Sequence, residues 1–302
     1  MPYTILCMPQ LALFAPRYWL TWLMVMPFAV LVFLPWRMQF ACGRLIGRGA
    51  RRLARRRRAI TAANLERCFP DLGPADRERL LREHFEALGI GLFETALCWW
   101  APDWRLQRRV HIEGMEHLQR AAEAGHGVLM LTAHFTTLEL GGRLLSLKHP
   151  VMVVYRPHEN PVINYLMRTR RDAHGSAGVI RRGDLRTMLR SLRKNATIWY
   201  APDQAYLGPR GVEAPFFGIP APTNTATSRI AAASNAPVLP FFVKRLANGH
   251  YRLAILPTLE GFPSGDDLAD AARVNAVLEQ GIREAPAQYL WSHDRFKQFR
   301  RP

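Results

Sequence analysis

A histidine followed five residues later by a glutamate offers the clearest chemistry in this chain. His134 and Glu139 lie in the segment LTAHFTTLELGG, residues 131–142. An imidazole can serve as a base near neutral pH, and a nearby carboxylate can hold its tautomer and stabilise the imidazolium. The pair therefore suggests proton abstraction.

This spacing alone is weak evidence, because the sequence holds 10 histidines and 24 acidic residues. A chain of that composition contains about one such pair by chance, and a second copy is present at His111 and Glu116. Only His134 follows an apolar run, residues 127–131, that is typical of a buried strand. Ligands of α/β folds bind where such strands end. We interpret His111 as structural or exposed, and both catalysis and a structural role stay open for His134 on context alone.

The elements that would position His134 alternate along the chain. Strands are predicted at 127–132, 151–155, 196–200, 238–245 and 251–258. Helices are predicted at 74–100, 115–125, 138–147, 160–173, 184–194, 223–235 and 266–285. Strands separated by helices imply an α/β fold with a mostly parallel central sheet and helices on its faces.

Composition points to anionic partners. The 302 residues carry a formal net charge of +17, and 37 of the 41 basic residues are arginine. The planar guanidinium binds phosphate and carboxylate bidentately, so nucleic acid, an anionic membrane surface and a phosphorylated substrate are all compatible with this charge. Four cysteines, at 7, 42, 68 and 98, show no CxxC pair, which favours reduced thiols over a disulfide framework or a metal site.

The N-terminal region favours the membrane among these partners. Residues 18–36 are uncharged with aromatic residues at both ends, which predicts one membrane anchor helix, kinked at Pro27 and ended at Pro35. Nine arginines and no acid follow in residues 37–58, so the positive-inside rule places the rest of the chain in the cytoplasm. A buried hairpin and a helix that enters the membrane without crossing it are the alternatives. A nucleic-acid patch is the competing interpretation of the arginine run, and we do not expect nucleic acid as a partner.

The sequence is accordingly divided into four segments. They are a short N-terminal segment (1–17), the anchor (18–36), a basic juxtamembrane region (37–73) and a cytoplasmic catalytic domain (74–302). Within the last, further polar residues follow predicted strands: Arg156 after 151–155 and Asp203 after 196–200. Such arginines could clamp phosphates or merely solvate a helix face, and the aspartate could neutralise an arginine or cap a turn.

Several ordered motifs resemble one known family. They are His134-x4-Glu139, Tyr155-Arg156-Pro157-x2-Asn160-Pro161, Arg181-Arg182-x-Asp184, Tyr200-Ala201-Pro202-Asp203-Gln204 and Pro215-Phe216-Phe217-Gly218. Together with NLERCFP at 64–70 and QYLWSHDRFK at 288–297, they are similar to the late acyltransferases of lipid A biosynthesis in Gram-negative bacteria. The loop after Asp203, Gln-Ala-Tyr-Leu-Gly, departs from many relatives by a small insertion.

The resemblance implies a glycerolipid-acyltransferase-like fold and an inner-membrane enzyme of the late steps of lipopolysaccharide synthesis. It would transfer an acyl chain from acyl carrier protein, its co-substrate, to a hydroxyl of a 3-hydroxyacyl chain on Kdo2-lipid IVA or its once-acylated product. His134 matches the general base and Glu139 its orienting carboxylate. Arg171 and Asp203 match a further required arginine and aspartate, and Arg156 and Arg181 are candidates for substrate binding. No metal or other cofactor is implied. An acyltransferase of this fold acting on a glycerophospholipid, ornithine lipid or polyene is the alternative.

Overall fold

A seven-stranded sheet forms the centre of the computed structural model, which describes residues 10–173 and 177–297. The strands are β1 (Val110–Glu113), β2 (Val128–Leu131), β3 (Met152–Tyr155), β4 (Val179–Arg181), β5 (Thr197–Tyr200), β8 (Val238–Arg245) and β9 (Tyr251–Ile255), and a separate antiparallel hairpin contains β6 (Gly211–Phe216) and β7 (Ile219–Asn224). The sheet order is β1-β9-β8-β2-β5-β3-β4, with β8 and β9 antiparallel and the other neighbours parallel. The predicted mostly parallel sheet is confirmed.

Helices flank the sheet. Their bounds are α1 (Trp19–Leu31), α2 (Trp36–Leu53), α3 (Arg55–Cys68), α4 (Pro74–Trp100), α5 (Asp103–Gln107), α6 (Met115–Glu123), α7 (Leu138–Ser146), α8 (Pro161–Ala173), α9 (Leu185–Arg193), α10 (Ala226–Ser234) and α11 (Asp267–Glu284). The predicted helix 223–235 therefore starts late, because residues up to Asn224 belong to β7.

The hydrophobic core is divided by the sheet into two clusters. Along β2, Val128 and Met130 belong to one cluster, whereas Leu129 and Leu131 belong to the other. Successive side chains of a strand point to opposite faces, so an unbroken apolar strand supplies both cores at once. β2 is buried throughout, and this burial fixes the strand that leads to His134.

The predicted membrane-spanning anchor at 18–36 is not supported. The apolar stretch is interrupted: α1 ends at Leu31, the chain turns, and α2 starts at Trp36. Thirteen residues give a helix of about 20 Å, shorter than the hydrocarbon core of about 30 Å. Across residues 10–173 and 177–297, no helix has both the length and the apolar character to cross a bilayer.

The basic region after α1 is helical and packs tightly against the core. In α2 the buried face includes Gly43 and Gly47, which cross α4 at Gly89. A Cβ on Gly89 would lie 2.0 Å from the Gly43 carbonyl oxygen, so the crossing admits no larger residue there. This contact makes residues 36–53 part of the globular fold and leaves the other face of α2 outward.

The four predicted segments have no test in the fold and remain a prediction. Residues 1–9, with Cys7, and residues 298–302 lie outside the described residues. Among the described residues, Cys42, Cys68 and Cys98 are free thiols, as the absence of a paired cysteine pattern predicts.

Candidate active site

The candidate site forms where two neighbouring parallel strands end. β2 and β5 pair in register, with Leu131 opposite Tyr200. His134 follows the end of β2 by three residues, and Asp203 follows the end of β5 by three. Equal offsets after paired positions bring the two side chains together at the carboxyl edge of the sheet.

His134 and Asp203 form a hydrogen-bonded acid–imidazole pair. The Nδ1 atom of His134 lies 2.6 Å from Oδ1 of Asp203, and the backbone N–H of His134 donates to Oδ2 at 3.0 Å. Asp203 is 2 % exposed, whereas a quarter of the His134 side chain faces the cavity. This arrangement fixes the imidazole ring and leaves Nε2 for a substrate proton.

Opposing effects set the pKa of His134. Burial lowers the pKa, and the charge and hydrogen bond of Asp203 raise it further than burial lowers it, so the net shift is upward from 6.5. Burial likewise raises the pKa of Asp203, but the same pairing outweighs it and holds that pKa below 3.8. The carboxylate is therefore charged at neutral pH and increases the basicity of the imidazole.

The carboxylate beside His134 is thus not the predicted one. Glu139, on the first turn of α7, pairs with Arg171 of α8: Nε of Arg171 donates to Oε2 of Glu139 at 3.3 Å, and Nη2 donates to Oε1. The expectation that Glu139 orients the imidazole is corrected, because the start of α7 directs Glu139 toward α8 and Asp203 occupies Nδ1. Asp203, for which neutralising an arginine and capping a turn were both left open, instead pairs with His134, and the ion-pair partner of Arg171 is Glu139.

Arg171 keeps a free donor. Its Nη1 atom is buried and has no hydrogen-bond partner in the described part of the chain, and the residue lines the cavity beside His134. An unmet buried N–H group costs free energy unless a ligand accepts from it. The Glu139–Arg171 ion pair therefore lines the cavity in a fixed position, with one N–H group of Arg171 available to a substrate oxygen.

A cavity of about 610 Å³ contains His134, Glu139 and Arg171. Its lining includes the arginines Arg143, Arg156, Arg170, Arg171, Arg182, Arg210 and Arg229, and Glu139 is the one acid among the described lining residues. Apolar side chains such as Leu138, Met167 and Trp199 line it as well. A basic rim over a partly apolar interior suits an amphiphilic anion.

Two predicted substrate-binding arginines take different positions. Arg156 is exposed on the cavity rim, with Glu159 at 4.0 Å. Arg181 is exposed on β4 and does not line the cavity, whereas its neighbour Arg182 does. Arg182 also acts on His134, because its charge lowers the imidazole pKa.

The C-terminal segment, residues 288–290, is hydrogen-bonded to the loop that carries His134. Leu290 donates its N–H to the carbonyl of His134 at 2.9 Å, and Thr136 donates to the carbonyl of Gln288 at 2.7 Å. The side chain of Gln288 in turn bonds both backbone groups of Arg245 at 2.9 Å. These contacts clamp the loop that carries His134 onto β8.

Other candidates separate cleanly from this site. His111 lies on the edge strand β1 beside Glu113, has 74 % of its side chain exposed, and does not line the cavity around His134. Cys98 lines the cavity, but burial raises the pKa of its thiol and keeps it protonated. The exposure of His111 agrees with its interpretation from sequence as structural or exposed.

Some site residues were not predicted from sequence. Three further arginines reach the cavity: Arg182 directly after β4, Arg210 directly before β6, and Arg229 in α10. Arg182 stood inside a recognised motif, so a signal existed for it. Arg210 and Arg229 had none, because only the packing of the β6–β7 hairpin and of α10 brings them to the cavity.

Comparison with known proteins gives a consistent result. Residues 8–298 match the sequence model of a family described as bacterial lipid A biosynthesis acyltransferase. The chain is 39% identical over 289 residues to the lipid A biosynthesis lauroyltransferase of Escherichia coli K12, covering 95% of this chain and 94% of that protein. It is also 39% identical over 285 residues to the palmitoleoyltransferase of the same strain, covering 93% and 92%.

A third relative is more distant. The lipid A biosynthesis myristoyltransferase of Escherichia coli K12 is 27% identical over 280 residues, covering 91% of this chain and 86% of that protein. The two relatives at 39% bear names with different acyl groups. Overall similarity therefore does not select an acyl group.

Proposed function

Because this chain belongs to the bacterial lipid A biosynthesis acyltransferase family and is an acyltransferase, we propose that it transfers an acyl chain from acyl carrier protein to a hydroxyl on a lipid A precursor. The acceptor is Kdo2-lipid IVA or its once-acylated product. The observation that carries the proposal is the His134–Asp203 pair at the cavity that also holds Arg171.

In the proposed reaction His134 is the general base. Its Nε2 accepts the proton of the acceptor hydroxyl while that oxygen attacks the thioester carbonyl carbon. The new C–O bond forms, the C–S bond breaks, and the proton passes from the imidazolium to the departing thiolate. Asp203 holds the reacting tautomer and stabilises the imidazolium between these steps.

Arg171 supplies positive charge where negative charge develops. Its unpartnered Nη1 can donate to the oxygen of the tetrahedral intermediate or to an acceptor phosphate. Glu139 keeps the guanidinium in place, since a bidentate pair fixes both groups. Glu139 thus acts through Arg171 and is a positioning residue in this proposal.

The basic rim supports an anionic acceptor. Arg156, Arg182, Arg210 and Arg229 surround the cavity mouth, and guanidinium groups match phosphate and carboxylate oxygens bidentately. A phosphorylated glycolipid with acidic sugars presents such groups. A neutral lipid would leave these cations without partners.

Membrane attachment is proposed through an outward apolar face instead of a spanning helix. The face contains the exposed side chains Leu11, Phe14, Trp19, Leu20, Leu23, Met24, Met26, Val30 and Phe33. The outer side of α2 adds Met38, Leu45, Ile46 and Leu53 beside arginines, a pattern typical of helices that lie in the membrane interface. The inner face of the bacterial inner membrane suits these cations, each adding about 1 kcal/mol near anionic lipid.

The apolar face adjoins the cavity mouth. Asn160, which follows the rim loop containing Arg156, donates from Nδ2 to Oγ1 of Thr21 in α1 at 2.9 Å. A lipid acceptor could therefore reach the rim without leaving the membrane surface. This continuity supports a membrane-embedded acceptor.

Two measurements test the proposal. Purified full-length protein should acylate Kdo2-lipid IVA with an acyl carrier protein thioester, and lipid A from a deletion strain should lose one secondary acyl chain by mass spectrometry. Unchanged lipid A, together with acylation of a glycerophospholipid or ornithine lipid in vitro, would contradict the proposed acceptor and favour the alternative. The mass difference also identifies the acyl chain and its acceptor position.

A further inference from the structure

A second cavity lies behind the first. Its volume is about 480 Å³, and it is lined by Ala54, Phe85, Leu88 and Leu290 among other residues. Gln204, the residue after Asp203, lines both cavities. Gln204 is therefore a residue that the second cavity shares with the cavity lined by His134.

The outer rim of the second cavity is basic. Arg57 lines it and donates from Nη1 to the carbonyl of Ser292 at 3.0 Å. It belongs to the α3 cluster, which we define as Arg55, Arg56, Arg57 and Arg58, all of them exposed. Within the described residues none of the four forms an ion pair.

The position of the α3 cluster is unfavourable for the helix itself. The cluster occupies the first turn of α3, where the helix dipole is positive and where acidic residues are normally stabilising. No acidic residue precedes Glu66 in the whole chain. Four adjacent cations at that end repel one another and the dipole, so binding of an external anion there is favourable.

We propose that the α3 cluster docks the acyl carrier protein and that the thioester arm reaches His134 through the second cavity, past Gln204. The inference rests on the proposed function, which requires a carrier-bound donor. The carrier is acidic and complements the cluster in charge. Its arm is a neutral amide chain with one phosphate at the carrier end, so Arg57 at the rim meets the phosphate and the cavity receives the chain.

The surface of α3 fits a protein better than a membrane. The exposed large apolar side chains of the N-terminal region end at Leu53, and the next one along the chain is Leu92. A helix that lies in a bilayer interface needs an apolar face as well as cations, and α3 has no such face outward. The arrangement gives the site two entrances, one for the lipid at the rim and one for the donor at α3.

A charge-reversal pair tests the docking surface. Arg56→Glu/Arg58→Glu should raise the KM for a dodecanoyl carrier protein at least 10-fold with kcat unchanged, since steering by charge changes association rates by about 10-fold or more. The matched control Arg120→Glu/Arg273→Glu makes the same charge change at exposed arginines of α6 and α11. It should keep the KM within two-fold, and so should both variants with the small neutral donor S-dodecanoyl-pantetheine.

Arg57 has a sharper test with two donors that differ in one phosphate. Arg57→Gln should raise the KM for S-dodecanoyl-4′-phosphopantetheine about 10-fold and leave that for S-dodecanoyl-pantetheine unchanged, because a hydrogen bond to a charged group is lost. Arg56→Gln, which removes the same charge one residue away, should change neither.

Three results would overturn the docking proposal. The first is an equal rise in the KM for the carrier donor in Arg56→Glu/Arg58→Glu and in its control, and the second is an unchanged KM in Arg56→Glu/Arg58→Glu. The third is that Arg56→Glu/Arg58→Glu no longer binds phosphatidylglycerol vesicles and is impaired equally with both donors. The last outcome would assign the cluster to the membrane. Failure of the wild-type protein to use any carrier thioester is a separate result, which would contradict the proposed donor.

Discussion

Two acid–base pairs line the same cavity and behave differently. In His134–Asp203 the base is an imidazole, which can gain and lose a proton, and Asp203 raises its pKa above 6.5. In Arg171–Glu139 the cation does not lose its proton in the physiological range. Each carboxylate, Asp203 or Glu139, accepts a hydrogen bond from a nitrogen-containing side chain. The sequence pattern alone does not show which of the two carboxylates assists a catalytic base. The difference lies in the partner: one pair can move a proton, and the other can only hold charge.

In both pairs, burial and the partner carboxylate act in opposite directions on the pKa of the nitrogen-containing side chain. The pKa of Arg171 is lowered by burial and raised further by Glu139, so the guanidinium stays charged. The pKa of His134 is raised only because Asp203 outweighs burial. One fixed cation and one adjustable base, side by side, are what an acyl transfer through an oxyanion requires.

The largest expected effect comes from removing the titrating base. His134→Ala should lower acyl transfer by about 10³- to 10⁴-fold, at the upper end for a lost general base. The fold should persist, because a quarter of the side chain faces the cavity. Steady-state kinetics and a thermal melt check the two statements, and substantial activity in a folded variant would exclude His134 as the base.

The next effect comes from neutralising the partner acid. Asp203→Asn keeps the size of the side chain but removes the charge that favours the imidazolium, and we expect a loss of about 10²- to 10³-fold. Wild-type kcat/KM should rise with pH through a midpoint above 6.5, since the base must be neutral. In the variant that midpoint should fall below 6.5, because burial and the charge of Arg182 then both lower the imidazole pKa without opposition from Asp203. An unmoved midpoint would mean that Asp203 does not set the basicity of His134.

The pH dependence of the unfolding free energy should reflect the His134–Asp203 pair, with one limit set by each group. A raised imidazole pKa stabilises the fold at low pH and loses this contribution as pH rises through the folded value. A lowered carboxyl pKa stabilises above 3.8 and loses its contribution as pH falls through the folded value. Urea unfolding of wild type against Asp203→Asn should therefore differ most between about pH 4 and 6.5.

A smaller effect is expected when the fixed pair is broken. Glu139→Gln leaves the Arg171 charge without its counterion and should cost about 2 kcal/mol of unfolding free energy, discounted from fully buried pairs because both side chains are partly exposed. Activity should fall about 10-fold with the pH midpoint unchanged. Arg171→Lys serves as the comparison, since it keeps a cation but loses the fork. A shifted midpoint in Glu139→Gln would instead place Glu139 in the proton pathway.

No effect is expected from the chance copy of the spacing. His111→Ala removes an exposed side chain on an edge strand and should change activity less than two-fold and stability by less than about 0.5 kcal/mol. The same assay and melt that report on His134→Ala give this baseline. A loss comparable with that of His134→Ala would contradict the assignment of the catalytic histidine.

Much of the fold was predictable because five strands of the central sheet lie in mostly apolar runs of the sequence. All five predicted strands exist within a few residues, since buried parallel strands read as continuous hydrophobic segments. The missed strands are short or rich in proline: β1 and β4 have four and three residues, and the β6–β7 hairpin carries Pro215, Pro220 and Pro222. Such segments are set by tertiary contacts more than by their own propensity.

The N-terminal helix shows the opposite case. Composition predicted an apolar segment from residue 18 onward, and the exposed side chains of residues 18–33 are apolar. Composition could not predict that the chain turns after Leu31 and that α2 packs on α4 through glycines. A hydropathy pattern reports how apolar a segment is. Where a helix ends also depends on its tertiary contacts, here the packing of α2 on α4.

The sequence by itself determined that His134 stands at the exit of a buried strand, that Glu139 follows it, and that arginine dominates the charge. Only the tertiary structure decided which carboxylate meets the imidazole. Asp203 is 69 residues away in the chain and reaches Nδ1 because β2 and β5 are neighbours in register. Glu139 is five residues away and pairs with Arg171, because the start of α7 turns it toward α8. Proximity in sequence fixes the local turn, and the order of strands in the sheet fixes the partner.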